Sequence, residues 1–180
     1  MPRYYRRRYR GYRLAKSRYS NETTVITFNT AEAQPEAGQT FPSDTIEEQE
    51  YRGFPIVAKT TVYGTRKAKN FDLTLTTKGL NAPLLGCLVY VPQGTLASAI
   101  TSSSAGLGDV KSLYEPNQNV IMQFMVPANG SADAPQITKV RTRLARNLDS
   151  GDSIVLIFCP LETLADTVYI AATVNYAIKY

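Results

Sequence analysis

Histidine and tryptophan are absent from this chain of 180 residues, and cysteine occurs only twice. Without an imidazole there is no Ser-His-Asp or Cys-His device, because the commonest general base is missing. Two cysteines and no histidine do not complete a four-ligand zinc cage, so neither a metal nor a cofactor is expected. Cys87 and Cys159 sit inside the apolar runs LLGCLVYV and SIVLIFCP. They read as buried free thiols of a reducing compartment rather than as a bridge.

Long apolar runs are missing as well. The longest, Ile154 to Cys159, is far short of the ~20 residues that span a bilayer. No apolar stretch follows the basic start as a secretory signal requires, and the expectation is a soluble chain without a membrane partner. The carboxylates Glu47, Glu48 and Glu50 cluster in an acidic loop and read as a solvated charge run rather than an acid–base pair. SSSAGLGDVK (102–111) has a passing likeness to a phosphate loop but lacks the Gly-Lys-Ser/Thr ending. The tripeptides Asn21-Glu22-Thr23 and Asn129-Gly130-Ser131 match a glycosylation acceptor by chance. The chain is not expected to be an enzyme.

What is present is charge of one sign at one end. The first twenty residues, MPRYYRRRYRGYRLAKSRYS, hold Arg3, Arg6, Arg7, Arg8, Arg10, Arg13, Lys16 and Arg18 and no acid, a charge of +8. The whole chain carries +5, which leaves −3 for residues 21–180. Such asymmetry points to a polyanion as the partner of an arm spanning 1–20. With Leu14 and Ala15 as its only aliphatic side chains after Met1, the arm is expected to be disordered when alone. Arginine grips phosphate with a planar bidentate fork. The interleaved Tyr4, Tyr5, Tyr9, Tyr12 and Tyr19 offer faces on which unpaired bases stack. Single-strand binding is therefore the expected job of the arm, and nuclear localisation is compatible with it.

Residues 21–180 read as one domain of strands. Eight runs are rich in β-branched and aromatic residues or alternate with period two: 21–29, 54–65, 71–77, 84–92, 119–127, 137–144, 153–160 and 167–180. Phe71, Leu73 and Leu75 share one face, as do Val120, Met122, Phe124 and Val126. A third set is Val168, Ile170, Ala172, Val174, Tyr176 and Ile178. LLGCLVYVP and SIVLIFCP are continuously apolar, as in strands covered on both faces. No helix of ten residues is indicated; 43–51 permits a turn or two. Eight strands with long connections at 30–53 and 93–118 fit an all-β, eight-stranded antiparallel jelly-roll sandwich, with an immunoglobulin-like pair of sheets as the alternative.

MPRYYRRRYRGYR ahead of an all-β body resembles the coat proteins of small circular single-stranded DNA viruses, the circovirus-like group. RNLDSGDSIVLIF (146–158) is similar to the Gly-Asp corner before a late strand in such coats. The resemblance implies a jelly-roll subunit that forms a simple icosahedral virion of sixty copies. It also implies an arginine arm lying inside on the viral genome and doubling as a signal for the host nucleus. Sixty arms at +8 would neutralise roughly 480 phosphates by one-to-one pairing.

Two further charge groups belong to the body. Lys139, Arg141 and Arg143 recur every second residue and so share one face of a strand. Either they extend the genome-facing surface or they blunt an edge strand against unwanted pairing. The connection 30–53 carries Glu32, Glu36, Asp44, Glu47, Glu48 and Glu50 against Arg52 and is expected to face away from a packaged polyanion. The rival readings are the coat of a small single-stranded RNA satellite virus and a monomeric β-rich host module that binds nucleic acid.

Overall fold

A computed structural model describes residues 18–30, 41, 53–95, 119–129 and 134–180. The arm residues up to Lys16, the acids of 30–53, the possible helical turn at 43–51 and the 102–111 stretch lie outside the described residues.

The described chain is all-β. Its strands are β1 (Ser20–Asn29), β2 (Phe54–Val57), β3 (Arg66–Lys78), β4 (Leu84–Val91), β5 (Val120–Val126), β6 (Gln136–Leu148), β7 (Ser153–Pro160) and β8 (Tyr169–Lys179). They form two four-stranded sheets in the orders β1-β8-β3-β6 and β2-β7-β4-β5, with every pairing antiparallel. Every connection except β4–β5 passes from one sheet to the other, which makes the sandwich a jelly roll. Among the described residues, no helix is long and apolar enough to cross a membrane.

Period-two alternation builds the core. Leu73 and Leu75 of β3, Val174 of β8, and Leu84 and Leu88 of β4 are all fully buried between the sheets. Phe28 and Phe54 stack with centroids 4.6 Å apart, and Phe124 meets Phe158 edge-on at 6.3 Å. Gly86 stands directly opposite Phe124 across β4 and β5. A Cβ there would fall 2.1 Å from the Phe124 ring, so only glycine leaves the ring its place.

β4 and β7 are also covered on the side away from this core. Cys87, Val89, Val91, Val155, Ile157 and Cys159 form a second buried cluster, and all eight residues of β7 are buried. Both cysteines are free. Burial, reinforced by neighbouring Cys159, pushes the Cys87 thiol up to about 12, and burial lifts Cys159 to about 11. Burial and a hydrogen bond to Asp152 push the Tyr90 phenol up to about 12 as well. In the unfolded chain these groups lose protons near their ordinary values of 9.0 and 10.0. Above roughly pH 9 the unfolded state therefore binds fewer protons, and stability falls as pH climbs. The urea midpoint is expected to stay level up to about pH 8.5 and to decline steadily from about 9 towards 12. A midpoint level across that window would mean that the thiols ionise as freely folded as unfolded.

Three expectations need correction. The run 54–65 is a strand only over its first four residues. Beyond them, the Ala58 carbonyl accepts from the Arg66 guanidinium at 3.1 Å, and the Thr60 carbonyl accepts from Gly151 N–H at 2.9 Å and the Ser150 hydroxyl at 3.2 Å. Those bonds tie the segment to another loop instead of a ladder. Second, β3 and β6 run through a shared irregularity at Asn70, a left-handed residue with φ 57°, so that β3 begins at Arg66 rather than Phe71 and β6 continues to Leu148 rather than Leu144. Third, Val120 does not join Met122, Phe124 and Val126. A register shift between Leu88 and Val89 leaves Ile121 unpaired and turns Val120 onto the second cluster.

The Gly-Asp corner closes one end of the sandwich. Asp152 is buried, and its carboxylate accepts from Tyr90 OH at 2.6 Å, Asp149 N–H at 2.8 Å and Gln93 N–H at 2.9 Å. Gly151 takes φ 87° to make the turn. Arg66, itself buried, donates to the Asp152 carbonyl at 3.1 Å, and Thr65 OH reaches the Asp149 carboxylate at 2.8 Å. One side chain thus holds the end of β4, the chain after it and the β6–β7 turn.

Candidate nucleic-acid interface

Where alternate residues of the β1-β8-β3-β6 sheet face the core, their neighbours must face outward. The pairing registers set those outward residues in rows. Asn29, Tyr169 and Lys78 form the first row; Thr27, Ala171, Thr76 and Ile137 form the next. Val25, Thr173, Thr74 and Lys139 follow, and then Thr23, Asn175, Asp72 and Arg141. Past the irregularity come Asn21, Ala177, Lys69 and Ala145, and finally Lys179, Lys67 and Asn147.

This surface is hydroxyl-rich and cationic. Asp72 is the one acid in the rows, and it pairs with Arg141 at 2.9 Å. Both partners are solvent-accessible, so the pair adds little stability; its effect is to hold the guanidinium against the sheet. Lys139 and Arg141 do share the outward face, opposite Thr74 and Asp72. Arg143 is exposed too, but it falls in the irregular stretch where β6 residues lose their one-to-one partners. β6 is also an edge strand, so its charges serve to blunt that edge whatever else they do. The other sheet differs completely: FPIV, LLGCLVYV, VIMQFMV and SIVLIFCP contain no charged residue.

The root of the arm lies on the cationic side. The Lys69 ammonium stands over the Tyr19 ring, 3.8 Å from its centroid, a contact of about 0.5–1 kcal/mol at an exposed site. Arg18 is exposed beside it. One face of Tyr19 is therefore already covered by a cation. Arg3, Tyr4, Tyr5, Arg6, Arg7, Arg8, Tyr9, Arg10, Tyr12, Arg13 and Lys16 lie outside the described residues.

Sequence reasoning missed Lys67, Lys69, Lys78, Lys179 and Tyr169 as members of one surface. The signal for Tyr169 and Lys179 was available as the complement of the buried alternation in the last strand. Lys67 and Lys69 were hidden because the irregularity at Asn70 breaks the alternation just ahead of FDLTLTT. Among the described residues, no group of three or more metal-ligating side chains comes together.

No family model and no curated protein matches the sequence. Among solved structures, the chain is similar to the CBM35 from Cellvibrio japonicus Abf62. The identity is 15% and the TM-score 0.27, over 82% of this chain and 92% of that one. So low a score carries no argument about function.

Proposed function

We propose that this protein is a structural capsid subunit that self-assembles into a small icosahedral shell around single-stranded DNA. Residues 1–20 lie on the genome and also direct the chain to the host nucleus. The observation that carries the reading is the segregation of charge: an arm of +8 is rooted at Tyr19 on the cationic face of one sheet, while the strands of the other sheet carry no charge. A polyanion laid against the first sheet meets the arm, Lys69, Lys78 and Lys139 together, and counterion release then drives association. The second sheet offers it no attraction.

Expression of the full chain followed by light scattering and electron microscopy tests the proposal. Sixty copies of 19.9 kDa make a closed particle of about 1.2 MDa, and the packaged nucleic acid is expected to yield to DNase after disruption. A packaged strand that only RNase degrades would transfer the reading to an RNA virus coat. A persistent monomer that binds single strands would replace it with a β-rich binding module.

A further inference from the structure

The outward face of the cationic sheet is not flat. At its β1–β8–β3 end lies a depression of about 460 Å³, within the range of small-molecule sites. The cause is a step in side-chain size. Tyr169 stands 53% exposed, and the next outward residue of β8 is Ala171, flanked by the short Thr27 and Thr76. The phenol ring thus forms one wall above a low floor, with Pro135 also on the lining. Lys78 is directly across from Tyr169 on β3 and is the single charged residue of the lining among the described residues.

We propose that this depression takes one unpaired nucleotide of a single-stranded polynucleotide, its base against the Tyr169 ring and its phosphate on Lys78. The inference rests on the single-strand reading above and adds a fixed site to it. An aromatic face and a cation in adjacent strand positions match the two halves of a nucleotide. The threonine hydroxyls of the floor supply hydrogen bonds to the sugar or base edge. Among the described residues the lining charge is positive, so the site favours an anion over a neutral sugar. Paired bases are stacked on one another and do not enter.

The test uses the full chain and a labelled eight-residue oligothymidylate, titrated by fluorescence anisotropy over a series of salt concentrations. Tyr169→Leu is expected to weaken binding about 5- to 150-fold with an unchanged salt slope, and Tyr169→Phe to bind like the parent. Lys78→Gln should reduce the slope by about 0.7. Duplex binding should not respond to Tyr169→Leu. With 5-iodouracil in the strand, irradiation is expected to attach it to Tyr169, as mapped by mass spectrometry. Tyr169→Leu binding equal to the parent, with no adduct at Tyr169, would overturn the site while leaving arm binding intact. If the parent itself shows no salt-steep affinity for single strands, the site and the reading beneath it both fall.

Discussion

Asp152→Ala is expected to lower stability by about 3–5 kcal/mol. The substitution leaves Tyr90 OH, Gln93 N–H and Asp149 N–H without the carboxylate that accepts from all three. Each of the three bonds runs to a charged acceptor and is worth about 1.5–3 kcal/mol, and water recovers part of the loss because the donors are only part-buried. In a domain whose total is about 5–15 kcal/mol, this is a severe loss. It corresponds to a melting shift of very roughly 6–20 °C for a chain of this size. Urea unfolding of unassembled subunits measures it. Asp152→Asn keeps one oxygen but turns an amide donor towards other donors, so it should fall between the parent and Ala. A loss below about 1 kcal/mol for Ala would mean that the corner is already hydrated and fastens nothing.

Neutralising the arm should produce the largest change in binding. Replacing Arg3, Arg6, Arg7, Arg8, Arg10, Arg13, Lys16 and Arg18 by Gln removes +8 and leaves the chain at −3. With eight charges engaged on a single strand, the log–log salt slope approaches about −5 to −6. Such a slope weakens binding by ~2,000-fold between 50 and 200 mM salt. The neutral arm should lose most of that slope and bind at least about 1,000-fold more weakly at low salt. Its urea midpoint should not move, because Arg18 is exposed and the arm has almost nothing apolar to bury. Retention of affinity within tenfold would place the main contact on the sheet rather than on the arm.

The sequence revealed the sandwich through its most regular strands. FDLTLTT and TVYIAATVNYAIKY alternate, and the positions read as inward from them are buried in the fold except Tyr176, which is half-buried beside a buried Ala177. LLGCLVYV and SIVLIFCP were legible as doubly covered because nothing polar interrupts them. Register shifts were not legible. One at Asn70 hides the first third of β3, and another at Ile121 turns Val120 away from its alternating partners. Such irregularities depend on the partner strand, so a single strand's pattern does not reveal them. The interface was half visible. Charge spacing marked Lys139 and Arg141, but the rows that join them to Tyr169 and Lys78 exist only after four strands distant in sequence are paired.

The place of β8 between β1 and β3 has a consequence for synthesis. The first sheet is not a continuous surface until its last strand is made, because β1 and β3 touch only through β8. Thr23 waits for Asn175, 152 residues later, and at translation rates of about 5–20 residues per second that is roughly 8–30 s. During this interval β1 and β3 carry open backbone edges, and such long-range pairing is slow to close. The arm, by contrast, is made before any strand of the sandwich. Its charge is present well before the face beside it is assembled, and that face is complete only when β8 slots in.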